Sequence, residues 1–102
     1  MKTLPKKCLL TMHGTIVEAS RVQDFLTLKG QKRQRAMLHI RENAEDESSA
    51  EVAVKVTGEL CHYVGCIGAR VTVEYIVRVF HFAKDGTPSL GNDIYATSIR
   101  MV

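Results

Sequence analysis

Apolar residues recur at every second position along much of the chain, the period of a strand that buries one face. The pattern is clearest near the middle. Val52, Val54 and Val56 alternate with Glu51, Ala53, Lys55 and Thr57, and Gly58 ends the run. Residues 59–64 are apolar-rich without that alternation and predict one short helix. Gly65 and Gly68 follow at its exit, where a backbone turn with positive φ is most easily placed. Val71, Val73, Tyr75, Val77 and Val79 then alternate again, over a run longer than an ordinary strand. A long, curving strand behind a short plug helix predicts a small closed barrel.

The flanking segments extend the pattern. Residues 8–18 predict the first strand, with Cys8, Leu10, Met12, Gly14 and Ile16 on one side and Leu9, Thr11, His13, Thr15 and Val17 on the other. Gly14 inside that strand predicts a bend or bulge, by which small barrels turn a corner. Residues 21–28 carry the same strand onward with imperfect alternation, and residues 29–34 form a basic, glycine-containing turn. The second strand covers residues 35–42, with Ala36, Leu38 and Ile40 facing the core and Arg35, Met37, His39 and Arg41 facing out. An acidic loop over residues 43–50 leads into the central segment. Beyond Phe82, Asp85-Gly86 marks a turn within a connecting loop, and residues 93–102 form the last strand. Residues 1–7, interrupted by Pro5, read as a loose lead-in. The order is strand, strand, strand, short helix, strand, strand: an all-β chain with one short helix, arranged as a five-stranded OB-fold barrel.

Composition narrows the function. The 102 residues leave room for one domain, spanning residues 1–102, with one modest core. No apolar run approaches the roughly 20 residues of a membrane span, and the N-terminus lacks a signal-peptide core, so a cytoplasmic protein is expected. Three cysteines, an odd number, fit a reducing compartment better than a disulfide framework. A zinc site needs about four ligands at suitable spacing, whereas the cysteines and histidines are scattered, so neither metal nor cofactor is expected. No phosphate-binding glycine loop, zinc-protease helix or nucleophile elbow is present. Cys61 and His62 are neighbours that point apart on a helix, so no catalytic pair is expected and the reading is a non-enzyme.

The net charge of +3 is mild but unevenly placed. Lys29, Lys32, Arg33, Arg35 and Arg41 follow one another with no acid between them, and Glu42, Glu45, Asp46, Glu47 and Glu51 then follow with no base.

Several segments resemble the central region of the bacterial single-stranded-DNA-binding proteins and their small primosomal replication relatives. These are Val54-Lys-Val-Thr-Gly58, then Tyr63, then Gly68-Ala-Arg-Val71-Thr-Val73-Glu74, with Asp85-Gly86 at the hairpin tip and Ala96, Ser98 and Ile99 in the closing strand. The pattern covers roughly residues 8–102. One departure is the absence of tryptophan, since stacking aromatics are that family's usual base platform. The resemblance implies a groove for single-stranded nucleic acid across the second and third strands, between the first hairpin loop and the loop joining strands four and five.

Such a groove needs cations for phosphates and flat side chains for bases. The candidate residues are Lys29, Lys32 and Arg33 from the first loop, Arg35, Met37, His39 and Arg41 from strand two, Lys55 from strand three and Lys84 from the second loop. Phe80 and Phe82 are the candidate stacking rings, projecting with Ile76 and Arg78 from the face opposite Val71, Val73 and Val79. Tyr63 and Tyr75 read as structural, and Tyr95, opposite in parity to Ile94 and Ala96, reads as an outward residue of the last strand with no assigned ligand role. The expected function is largely sequence-independent binding of single-stranded DNA, or RNA, in replication, recombination or mobile-element transfer. The alternative is an OB-fold interaction module that uses an Ile76-Phe80-Phe82 stripe and binds no nucleic acid. A homo-oligomer is expected under either reading, because an exposed apolar stripe on so small a chain tends to be covered.

Overall fold

A computed structural model describes residues 9–102. In chain order it contains β1 (Leu10–Ala19), β2 (Gln23–Leu26), β3 (Lys32–Arg41), β4 (Glu51–Thr57), a 3-10 helix (Gly58–Gly65), β5 (Arg70–Lys84) and β6 (Thr87–Met101). The lead-in over residues 1–7, and Cys8 at the start of the first strand, lie outside the described residues.

The barrel closes because β1 serves two neighbours. Its first half pairs antiparallel with β5, from Leu10 opposite Tyr75 to Thr15 opposite Arg70. Its second half pairs with β3, from Thr15 opposite Arg41 to Ala19 opposite Leu38. Gly14 sits at the handover. A Cβ there would lie 2.5 Å from the Arg41 carbonyl oxygen, so the two backbones meet only because a side chain is absent. The bend expected at Gly14 is therefore a close approach, and the extra residue of the bulge is Val17, between Ile16 opposite Ile40 and Glu18 opposite His39.

The ring runs β1–β5–β6–β4–β3 and back to β1, with β2 hydrogen-bonded to the outer edge of β3. Five strands thus close the barrel, and the chain expected to continue straight through residues 21–28 breaks after Ala19. Ser20 spans that break. Its hydroxyl accepts the Met37 N–H at 2.9 Å and its own N–H donates to the Met37 carbonyl at 3.0 Å. The parallel seam between β4 and β6 rests on a single register pair, Lys55 with Tyr95.

The core follows the alternation. Ile16, Leu38, Ile40, Val54, Val56, Val71 and Val73 are fully buried. The helix plugs one end with Cys61 and Tyr63, and the Tyr63 hydroxyl donates to the Ile99 carbonyl at 2.9 Å, tying plug to last strand. Cys61 turns into the core, where burial raises its thiol pKa, while His62 turns to solvent. Positive φ angles fall at Gly58 (+59°) and Gly68 (+96°), while Gly65 does not need one.

Three expectations are corrected. The last strand begins at Thr87, because Asp85 and Gly86 (φ 52° and 76°) make a two-residue turn whose twist matches the flanking strands. Residues 83–92 are therefore part of a long two-stranded ribbon. The second strand begins at Lys32, so Lys32 and Arg33 lie on β3 while Lys29 remains in the turn. Ile76 is 8% exposed, so the outward stripe expected from Ile76 through Phe82 loses its first member. No helix among the described residues is long and apolar enough to cross a membrane.

Candidate nucleic-acid interface

Register places the outward side chains of five strands on one continuous face. Arg35, Met37, His39 and Arg41 alternate with the buried Ala36, Leu38 and Ile40 of β3, and Arg33 shares their parity at its exposed start. Phe25 of β2 stands opposite Arg33, and Lys55 of β4 stands opposite Met37. Tyr95 of β6 pairs with Lys55 across the seam and with Ile76 across the ribbon. From there the ribbon carries the face outward through Arg78 opposite Asp93, Phe80 opposite Gly91, Phe82 opposite Ser89 and Lys84 opposite Thr87. Phe25, Arg35, Met37, Lys55 and Tyr95 share one cleft of about 570 Å³.

Aromatic rings and cations alternate along this face. The Arg35 guanidinium lies 5.0 Å from the centre of the Phe25 ring. The Lys55 ammonium and the Arg78 guanidinium lie 5.5 and 5.8 Å from the centre of Tyr95. These are cation–π distances, and they hold flat surfaces and charges at fixed places before any ligand arrives. Phe80 and Phe82 follow with ring centres 5.6 Å apart and a tilt of 33°. They are 40% and 43% exposed. Phe80 lies flat on Gly91, where a Cβ would come within 2.3 Å of the ring. A bulge that would return these rings to the core is not found on β5. The irregularity beside Glu74 and Tyr75 leaves Thr97 of β6 unpaired, so the alternation of β5 continues unbroken.

Two cations of the face are already paired with acids. Lys55 Nζ lies 2.6 Å from Asp93 Oδ1, and this contact holds the Asp93 carboxyl below its usual range. Arg41 donates to Glu51 at 2.5 Å, and His39 Nε2 lies 3.1 Å from the other oxygen of that carboxylate. The Arg41 hydrogen bond, and after it the His39 one, lowers the Glu51 pKa, while the guanidinium's own pKa is raised. Arg33 and Arg35 have no acid partner of this kind among the described residues. Lys32 points to the other face of β3, where an exposed contact of 3.7 Å joins it to Asp24. Lys29 is exposed in the turn closed by Thr27 and Gln31.

The structure therefore gathers Arg33, Arg35, Met37, His39, Arg41, Lys55, Phe80, Phe82 and Lys84, and sets Lys32 apart. It adds Phe25, Arg78 and Tyr95. Arg78 and Tyr95 were legible from alternation, since they share parity with Phe80 and with the residues flanking Ile94. Phe25 was not, because its face depends on the hairpin register with Arg33.

No family model matches the sequence, and no curated protein matches it. Solved structures do match. The small single-stranded DNA-binding protein of Streptomyces coelicolor is 17% identical, with 96% of each chain covered and a TM-score of 0.55. The Plasmodium falciparum single-stranded DNA-binding protein, solved in complex with single-stranded DNA, is 11% identical, with 100% of this chain and 99% of that one covered and a TM-score of 0.56. The chain has the OB-fold of single-stranded DNA-binding proteins. The mitochondrial protein Rim1 of S. cerevisiae has the same fold, at 13% identity and a TM-score of 0.58, with 96% and 97% of the two chains covered. At these identities the likeness is one of fold.

Proposed function

We propose that this OB-fold protein binds single-stranded DNA, largely without regard to sequence, along the face from Phe25 to Phe82. The observation that carries the reading is the alternation Phe25–Arg35, Lys55–Tyr95–Arg78, Phe80–Phe82 on one surface. Cations spaced between rings match a backbone of phosphates that carries unstacked bases. The neighbour solved with single-stranded DNA supports the same ligand. The activity is binding rather than catalysis, and its setting is cytoplasmic replication, recombination or mobile-element transfer.

Fluorescence anisotropy with a labelled oligothymidine, repeated across a salt series, tests this. If Arg33, Arg35, Arg78 and Lys84, which have no acid partner among the described residues, each neutralise one phosphate, the logarithm of affinity falls against log salt with a slope of about −3. An absence of binding at low salt overturns the reading.

The other face of the ribbon supports the proposed self-association. Val77, Val79 and Leu90 stand there at 44%, 60% and 66% exposure, with Val77 opposite the half-buried Ile94. The two faces are independent, so copies of the chain can meet on the apolar one while DNA occupies the aromatic one. Serine at Val77 and Val79 is expected to lower the solution mass measured by light scattering. An unchanged oligomer places the contact elsewhere.

A further inference from the structure

The groove face ends in a cluster that its other residues do not explain. Glu51, the first residue of β4, stands opposite Arg41, the last of β3. Its two oxygens are divided between two donors, Oε1 taken by Arg41 Nε and Oε2 lying 3.1 Å from His39 Nε2. Arg41 also donates from Nη1 to the Ala44 carbonyl at 3.1 Å, and the second ring nitrogen of His39 lies 3.7 Å from Glu18. A guanidinium and an imidazole converging on two oxygens of one anion is the donor set that holds a phosphodiester. Arg41 and His39 share the face of Arg35, so a strand lying along β3 reaches them next.

We propose that Arg41 and His39 form a phosphate subsite at the end of the groove, which Glu51 occupies in the free protein as a phosphate stand-in. The inference rests on the groove reading above. An entering strand must displace the carboxylate to use this position, so the subsite adds length to the path but little net affinity. Glu51 is an anion at neutral pH, and its hydrogen bonds from Arg41 and then His39 hold its carboxyl further below the usual range. The bland alternative is an acidic stop. Glu18, Glu47 and Glu51 all bear on Arg41, and acids gathered at one end would simply repel the strand.

A double-mutant cycle separates these two accounts. Glu51→Gln removes the charge and keeps the shape. It is expected to tighten oligothymidine binding about two- to fivefold at low salt and to steepen the salt slope by about 0.7, one further phosphate. In an Arg41→Gln background that gain vanishes. Arg41→Gln alone weakens binding by less than Arg35→Gln does, because the Arg41 guanidinium is already held by Glu51 whereas Arg35 has no acid partner among the described residues. A gain from Glu51→Gln that persists without Arg41 overturns the subsite in favour of repulsion. Unchanged affinity in Glu51→Gln, or an Arg41→Gln loss as large as that of Arg35→Gln, also overturns it. If the parent binds and Glu51→Gln binds no better, the stand-in fails and the groove survives. If neither binds, both fail.

Discussion

Serine at both Phe80 and Phe82 lowers the affinity for oligothymidine by about 30-fold or more at fixed salt. Each base stacked on an aromatic ring contributes roughly 1–3 kcal/mol, so removing two rings costs about 2 kcal/mol at the least, and 1.4 kcal/mol is about a tenfold change. Neither residue lies in the core, and both sit on the ribbon beyond the closed ring, so thermal stability stays close to the parent. The salt slope also stays unchanged, because no charge is removed. That combination, affinity lost with slope and melting temperature kept, is what distinguishes a stacking platform from a fold defect. The solution mass is unchanged as well, since Val77 and Val79 face the other way. Gly91→Ala offers a conservative companion, because its new Cβ would occupy the place of the Phe80 ring and tip it out of the face. Parent-like affinity in the double serine variant would remove the rings from the site and leave only the cations.

The barrel was readable because its inward face is written in period two. Val52, Val54 and Val56, and Ala36, Leu38 and Ile40, each need one buried side, and no other regular structure gives them one. The helix was readable because Gly58 ends one alternating run and Gly68 precedes the next. What alternation cannot give is where a ribbon leaves the core. Residues 83–92 lack a buried face, so they resembled a loop, yet the turn at Asp85-Gly86 is enough to zip them together. Which residues then stand opposite one another, such as Phe80 and Gly91, only the register discloses.

The candidate site was legible to the same degree and for the same reason. Parity along β3 and β5 put Arg35, Met37, Phe80 and Phe82 on the outward side. It could not tell that Lys32 belongs to the opposite face, because the strand was expected to begin after it. Nor could it tell which cations are free. The acidic run from Glu42 to Glu51 looked like a solvated loop, and Asp46 does spend its charge locally on Ser48. Glu51, the last of the run, instead folds back onto Arg41 and His39. Charge partners are set by which strands become neighbours, and linear charge counting does not contain that information.

Leu38→Ala produces the largest loss of stability we expect, about 2–5 kcal/mol. Leu38 is fully buried, and β3 is the strand on which two others close: Leu38 stands opposite Ala19 of β1 and opposite Val54 of β4. Truncating it removes apolar contacts on both sides of that junction and leaves a cavity that the flanking strands cannot fill without breaking register. For a domain of this size each kcal/mol lowers the melting temperature by about 4–8 °C, so a fall of roughly 10 °C or more is expected by circular dichroism. Domains of this kind hold only about 5–15 kcal/mol in all. Leu28→Ala is the control, since that side chain is fully exposed in the β2–β3 turn, and it should change stability by no more than about 0.5 kcal/mol. Below its melting temperature the Leu38 variant should still bind oligothymidine, because the groove residues lie on the opposite side of the same strand. Parent-like melting of Leu38→Ala would mean that the ring does not close through β3. Loss of binding while the variant remains folded would mean that the core and the groove face are not separable on that strand.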